Sequence, residues 1–286
     1  MSKIPSTFYD GKKYIAFFDL DGTLLNRKLE ITPKTIEAIK KWQKKGNYFV
    51  VSTGRPDIFV RYKCQKAGLK PTYVISFNGA IILNDLGELL FESIIDTNFI
   101  NEIASFCNQN KLNFRAMQRN NVYHNWPIDQ ETKFQTYLDE YFIERTEGIT
   151  MYDHFRSEFE PRHKILKFII YIERNDEKSM KTAKELIAKY GHEYNFAWSL
   201  SHDDVSYLEI TRKNADKGLA VKFVANQMNI NLEQTISFGD SGNDEFMLKT
   251  THYSFVPKNA TKDALRGAKF QSQKTNDEDF IFDILK

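Results

Sequence analysis

Cysteine is almost missing from this chain: only Cys64 and Cys107 occur among its 286 residues. Cys64 falls in a core helix pattern and Cys107 in what reads below as a different folding unit, so no structural disulfide is expected and a reducing compartment fits. Long apolar runs are missing too. No stretch of about 18 apolar residues occurs, which excludes a transmembrane helix. The segment Met1-Ser2-Lys3-Ile4-Pro5-Ser6 lacks an apolar stretch ahead of a small-residue cleavage site, so no export signal is read there. Neither sign of charge dominates. With 40 basic and 38 acidic residues, the net charge of +2 gives no general reason to bind nucleic acid. Lys40-Lys41 and Lys44-Lys45 lie on one predicted amphipathic helix and read as its solvated face. Repeats, low-complexity tracts and linkers are absent as well. The expectation is a soluble cytoplasmic protein with no membrane or nucleic-acid partner, a monomer or weak dimer with core enough for one large or two moderate domains.

What is present begins with Tyr14-Ile15-Ala16-Phe17-Phe18, a short continuously apolar run of the kind buried on both faces of a parallel sheet. It ends in Asp19-Leu20-Asp21-Gly22-Thr23-Leu24-Leu25. Residues two apart on a strand point to the same side, so Asp19 and Asp21 converge at the carboxyl edge of the sheet, where open α/β sheets bind ligands. A calcium loop also begins Asp-x-Asp, and Glu30 stands at its twelfth position. That loop needs glycine at its sixth position, where this chain has Leu24, and a preceding helix, where this chain has a strand. The histidines offer no competing metal site. His124, His154, His163, His192, His202 and His252 include no pair at ligand spacing on one helix.

Three further segments carry chemistry. Tyr48-Phe49-Val50-Val51 is a second buried strand that runs into Ser52-Thr53-Gly54-Arg55-Pro56, where backbone N–H groups could hold an anion. Asn214-Ala215-Asp216-Lys217-Gly218 opens a helical pattern with Leu219, Val221, Phe223 and Val224 on its apolar face. Thr235-Ile236-Ser237-Phe238 leads into Gly239-Asp240-Ser241-Gly242-Asn243-Asp244, two more carboxylates on a glycine-rich turn. Taken singly, each has an ordinary structural explanation: a helix cap, a solvated lysine, an acidic turn.

Taken in order, the four segments resemble the signature motifs of the haloacid dehalogenase-like phosphohydrolases, over residues 14 to about 250. The subgroup resembled is the Cof type, through Thr53-Gly54-Arg55, Asn78-Gly79-Ala80 and the Glu209-Ile210 pair before the lysine. The resemblance implies Asp19 as a nucleophile that forms an aspartyl phosphate, and Asp21 as the acid that protonates the leaving oxygen and then the base that activates water. Thr53 and Lys217 complete the catalytic set. Four carboxylates, Asp19, Asp21, Asp240 and Asp244, would repel a phosphate dianion, so a cation is required, and hard oxygen ligands beside phosphate favour Mg²⁺. By resemblance, its ligands would be the side chains of Asp19 and Asp240 and the backbone carbonyl of Asp21, with Ser241 an additional candidate and Asp244 supporting them from behind. The same resemblance gives the phosphate to the Leu20 N–H, Thr53, Gly54, Lys217 and Asn243, and Arg55 and Asn78 join the candidate substrate-binding residues.

Strand and helix patterns alternate through about residue 80, at 14–20, 33–45, 48–52, 57–67 and 73–76, and resume after Lys217 with a helix at 217–228, a strand at 235–238, a helix at 243–249 and a strand at 252–256. The fold class is therefore α/β, a Rossmann-like doubly wound parallel sheet. Between the halves, helix patterns at 98–107, 131–142 and 177–190 stand among strands at 112–117, 164–172, 194–199 and 205–210. This reads as an inserted α+β cap over 85–210, with a discontinuous core of 1–84 and 211–286, and the insertion should stand over the site. The segments Arg115–Trp126 and Glu160–Lys164 could read a leaving group or be solvated strand ends. The expected function is Mg²⁺-dependent hydrolysis of a small phosphate ester: a sugar phosphate, a nucleotide or a cofactor phosphate. A phosphomutase on the same scaffold and a non-catalytic phosphometabolite-binding regulator are the alternatives, though the latter should have lost its nucleophile or acid.

Overall fold

The computed structural model describes residues 11–125, 151–154, 158–200 and 205–286. The chain forms two compact units, one made of residues up to Glu92 together with Asn214–Lys286, the other of Ser93–Lys213. The division falls beyond the 84/85 and 210/211 boundaries read from the sequence, because residues 89–92 still pair with the first unit's sheet.

The first unit opens with β1 (Ile15–Phe18), α1 (Pro33–Lys44), β2 (Tyr48–Ser52), α2 (Asp57–Lys66), β3 (Tyr73–Ser76), β4 (Ile81–Asn84) and β5 (Leu89–Glu92). Helix α1 starts where the Thr32 hydroxyl accepts from the Thr35 N–H at 3.2 Å and Pro33 supplies a preset φ. Its Thr35, Ala38, Ile39 and Trp42, three or four residues apart, form the buried stripe.

The second unit comprises α3 (Thr97–Gln109), β6 (Phe114–Met117), β7 (Asn121–His124), β8 (Met151–His154), β9 (Lys167–Glu173), α4 (Glu177–Tyr190), β10 (Tyr194–Leu200) and β11 (Val205–Arg212). Its strands order as β10-β11-β9-β6-β7-β8, antiparallel except for β7 with β8. One sheet face, including Phe114, Phe168, Ile170 and Leu208, packs under Phe99 and Ile103 of α3 and Leu186 of α4. The other face, by the two-residue alternation of strands, mixes polar side chains with buried apolar ones such as Ile169 and Val205. Lys167 and Glu209 form a pair at 3.3 Å there, and the Arg115 guanidinium lies 5.9 Å from the ring centres of both Tyr171 and Tyr207. The helix expected at 131–142, Trp126 and His202 lie outside the described residues.

The chain returns to the first unit with α5 (Lys217–Gln227), β12 (Thr235–Phe238), α6 (Glu245–Thr250), β13 (Tyr253–Val256), α7 (Lys262–Gly267), β14 (Phe270–Gln271) and α8 (Phe280–Leu285). Among the described residues the sheet orders as β14-β13-β12-β1-β2-β3-β4-β5, parallel from β14 to β3. The architecture is α/β with a parallel-dominated sheet. It departs from a purely parallel one at β4 and β5, which form an antiparallel edge. The connections explain this: only a short turn joins β3 to β4, and parallel pairing needs a crossover of a dozen or more residues. From β4 to β5 the chain turns on Asn84, whose side-chain carbonyl accepts from the N–H groups of Leu86 and Glu88.

Alternation along β1 splits the core. Ile15 and Phe17 join Val50, Ile75 and Ile82 beneath Val221 and Val224 of α5. On the other face Phe18 stacks on Phe238 at 4.6 Å and meets Phe49 edge-on at 5.3 Å, and Phe238 continues the row to Phe255 and to Phe280 of α8. Phe18 is fully buried at the centre of this row, one residue before Asp19. Phe18→Ala should therefore cost roughly 3–5 kcal/mol, whereas Leu86→Ala, at a side chain 73% exposed, should change stability by less than about 0.5 kcal/mol. Urea denaturation of the two variants checks this, and equal losses would contradict the packing described.

Candidate active site

Strands β12, β1 and β2 are neighbours, so the residues following them share one carboxyl edge of the sheet. Between β12 and β1 the strand order reverses, the switch point beside which open α/β sheets bind their ligands. The Asp19 N–H donates to the Phe238 carbonyl at 2.8 Å and keeps Asp19 in line with β1. The chain then coils through Leu20–Leu24, with Gly22 at φ +73°. A Cβ at Gly22 would stand 2.5 Å from Oδ2 of Asp240, so this approach is open only to glycine. Thr23, which the motif contained without an assigned task, donates its hydroxyl to Oδ1 of Asp240 at 2.9 Å.

Lys217 lies at the first turn of α5, whose cap Asp216 accepts from the N–H groups of Gly218 and Leu219 at 2.7 and 3.1 Å. Its ammonium is wholly buried and donates to Oδ1 of Asp19 at 2.5 Å and to Oδ1 of Asp244 at 2.6 Å. Asp244 turns its other oxygen to the N–H groups of Asp240 and Ser241, at 3.0 and 3.1 Å. Both its oxygens are thus engaged in holding the loop and the lysine. The structure brings Asp19, Lys217, Asp240 and Asp244 into one cluster.

Asp21 stands apart from that cluster, paired with Arg55. The guanidinium donates through Nε to Oδ2 at 2.7 Å and through Nη2 to Oδ1 at 2.5 Å, a two-point fork, while its flat face lies 4.2 Å from the Phe59 ring centre. Arg55, expected among the substrate-binding residues, has this carboxylate as a partner instead of standing open to solvent. Nothing in the sequence signals the pairing, because the two residues are 34 positions apart. Thr53 is buried, its hydroxyl accepts from the Arg55 N–H at 3.1 Å, and Gly54 lies between the two. Asn243 donates its side-chain N–H to the carbonyl of Asn78 at 3.0 Å and accepts from the Ser241 hydroxyl at 2.7 Å.

Among the described residues, the cluster able to hold a metal consists of carboxylates alone. One oxygen each of Asp19, Asp240 and Asp244 lies within 4.8 Å of the others, and no histidine joins them. Hard oxygen donors around one buried ammonium fit a hard cation. No helix among the described residues is long and apolar enough to cross a membrane.

Residues 16–285 match the sequence pattern of the haloacid dehalogenase-like hydrolases. The chain belongs to this family, as an enzyme of its phosphatase branch. It is 28% identical to Phosphatase YwpJ of Bacillus subtilis (strain 168), in an alignment covering 94% of this chain and 97% of that protein. Its fold superimposes on that of a haloacid dehalogenase-like hydrolase from B. subtilis with a TM-score of 0.78 at 24% identity, covering 95% of this chain and 98% of the other. The subclass IIB sugar phosphatase BT4131 superimposes with a TM-score of 0.75 at 22% identity, covering 95% and 97%.

In this haloacid dehalogenase-like site the charges are unequal, and proton affinities follow. Burial, then the nearby Asp244, pushes the Asp19 carboxyl well above the usual range despite the pull of Lys217. Burial and Asp244 likewise push Asp240 up to about 7. Burial alone would lower the Lys217 ammonium, but its attraction to Asp19 and Asp244 wins and holds it above the ordinary lysine value. A carboxyl whose folded pKa is raised stabilises the fold while it keeps its proton, and that contribution is lost as pH rises from its unfolded value to its folded one. In chelator, the thermal midpoint should fall as pH rises from about 5 to about 8, through the folded pKa of about 7 for Asp240. Asp240→Asn should flatten the fall, leaving the part due to Asp19. A midpoint that rises over this interval would show that the cluster does not carry the strain of like charge.

Proposed function

We propose that this enzyme is a Mg²⁺-dependent phosphomonoester hydrolase that acts on a small phosphorylated metabolite through an aspartyl phosphate on Asp19. The observation that carries this reading is the Lys217 ammonium shared by Asp19 and Asp244, with Asp240 beside them, at the carboxyl edge of β1 and β12. Phosphoryl transfer needs an in-line nucleophile, positive charge around the equatorial oxygens and a proton donor for the leaving group. Asp19 supplies the first. Lys217 supplies charge and, by holding one oxygen of Asp19, limits the rotation of the carboxylate. Thr53, Gly54 and Asn243, with the Leu20 N–H, are the groups assigned to the phosphate.

Asp21 is assigned the proton transfers. Its side chain is 41% exposed and gripped by Arg55 in a fork, which fixes the plane of the carboxylate while leaving it reachable from solvent. Arg55 thus serves the leaving-group end of the reaction through Asp21. The side chains of Asp19 and Asp240 and the backbone carbonyl of Asp21 would hold Mg²⁺, with Ser241 adjacent and Asp244 bracing the loop. The bound ion would let the clustered carboxylates stay ionised together and offset their repulsion of a phosphate dianion. A sugar phosphate is one substrate class that fits, in keeping with the name of BT4131.

Two measurements test the assignment. Millimolar Mg²⁺ should raise the thermal midpoint of the parent at neutral pH, because the ion binds the folded state only, and should leave Asp240→Ala unmoved. A melt indifferent to Mg²⁺ would remove the metal from the proposal. Asp19→Asn should abolish turnover of every ester without a burst. Asp21→Asn should still be phosphorylated by p-nitrophenyl phosphate, whose leaving group hardly needs a proton, and then stall for want of a base, with alkyl ester turnover down about 10²–10⁴-fold. The signature is a stoichiometric burst of nitrophenol with phosphate trapped on the protein. If Asp19→Asn kept turning over, the nucleophile would lie elsewhere.

A further inference from the structure

We propose that Asn78 is a positioning residue that orients the side-chain amide of Asn243 toward the phosphate, and that it does so from a turn shaped to reach three active-site loops. The inference rests on the phosphatase reading, in which Asn243 binds the phosphate. The turn between β3 and β4 has three consecutive residues at positive φ: Phe77 at 51°, Asn78 at 57° and Gly79 at 100°. Side chains other than glycine rarely adopt that region, and a bulky phenylalanine least of all. Such a backbone persists only where its surroundings hold it, and here they are the site itself. The Phe77 N–H donates to the Arg55 carbonyl at 3.2 Å, and the Asn78 N–H to the Thr53 carbonyl at 3.0 Å. Gly79 sits against the backbone of Asp216, where a Cβ would come within 2.7 Å of the carbonyl oxygen, so glycine is required for the turn to touch the cap of the Lys217 helix. The side chain of Asn78, itself buried, accepts from Asn243 across 165 positions of sequence.

An asparagine amide presents one carbonyl and two N–H bonds, and its two ends are nearly equal in shape. Asn78 takes one N–H of Asn243, and the Ser241 hydroxyl takes its carbonyl. These two partners define which way the amide faces and leave its second N–H for a phosphate oxygen. Without the acceptor on Asn78, the amide can turn its carbonyl toward the anion, which repels it. Asn78 therefore acts through Asn243, not on the phosphate.

Asn78→Gly tests this, because glycine keeps the left-handed backbone and removes the side chain that carries the acceptor. Asn78→Ser, too short to reach Asn243, is the second variant if glycine loosens the turn. Inorganic phosphate is the probe, read by protection against heat and by inhibition of p-nitrophenyl phosphate hydrolysis. Asn78→Gly should weaken phosphate binding and lower kcat/KM by about tenfold, mostly through KM, the scale of one hydrogen bond to a charged ligand. In an Asn243→Ala background the same substitution should change either quantity by less than about twofold, since the two residues act as one unit. A further loss of about tenfold in that background would overturn the inference, because Asn78 would then act independently of Asn243. So would unchanged phosphate affinity in both Asn78→Gly and Asn78→Ser. Failure of the phosphatase reading looks different: the parent would release no phosphate from any ester, while heat protection would still report the cycle.

Discussion

The buried ammonium of Lys217 is the contact on which the rest of the site depends. Removing an ammonium from water costs several kcal/mol, and the cost is offset only by well-placed partners. Asp19 and Asp244 provide them at 2.5 and 2.6 Å, joining the end of the first strand to the last motif through the start of α5. The offset is incomplete in the other direction. Asp19, Asp240 and Asp244, if all ionised, outnumber the one ammonium by two negative charges, and burial drives protons onto Asp19 and Asp240 in response. A dication has the charge that closes this difference. Asp21 adds the weakest of the carboxylate repulsions on Asp19 and Asp240, and the Arg55 fork offsets its charge.

The fold makes this arrangement rigid. Asp19 follows directly on Phe18, which lies between Phe49 and Phe238, so the backbone that carries Asp19 is anchored in the aromatic row. Gly22 against Asp240 and Gly79 against Asp216 allow loops from distant parts of the chain to touch through the backbone. Preorganised dipoles and charges act on a developing charge without waiting to reorganise, and contacts of this kind are how a sheet edge achieves that.

What could be read from the sequence was local. The continuous apolar run Ile15–Phe18 marks a strand buried on both faces, and the helix opening at Asp216-Lys217 is visible from its local pattern. Motif order was enough to group Asp19, Thr53, Lys217 and Asp240 at one edge. The hairpin of β4 and β5 was missed because strands of four residues show too little periodicity to announce themselves, although the lack of a helical spacer after β3 already argues against a parallel return. Pairings such as Arg55 with Asp21 and Asn78 with Asn243 were beyond reach for a different reason. Composition and period describe one element at a time, and which loop meets which is decided by tertiary packing.

The unfavourable backbone at Phe77 and Asn78 has a cause that follows from the same geometry. Strand β3 lies next to β2, so the chain leaving it passes close to Thr53 and Arg55, and their carbonyls need donors. An ordinary extended exit would carry those N–H groups past them. Folding back through the left-handed region costs on the order of 1–3 kcal/mol per strained residue. In return it satisfies both carbonyls, reverses the chain into β4 and brings a side chain to Asn243. Asparagine suits both demands at position 78: its side-chain carbonyl reaches the partner, and its short polar side chain is among the few that tolerate the left-handed conformation. The residue choice is therefore tied jointly to the backbone and to the contact with Asn243.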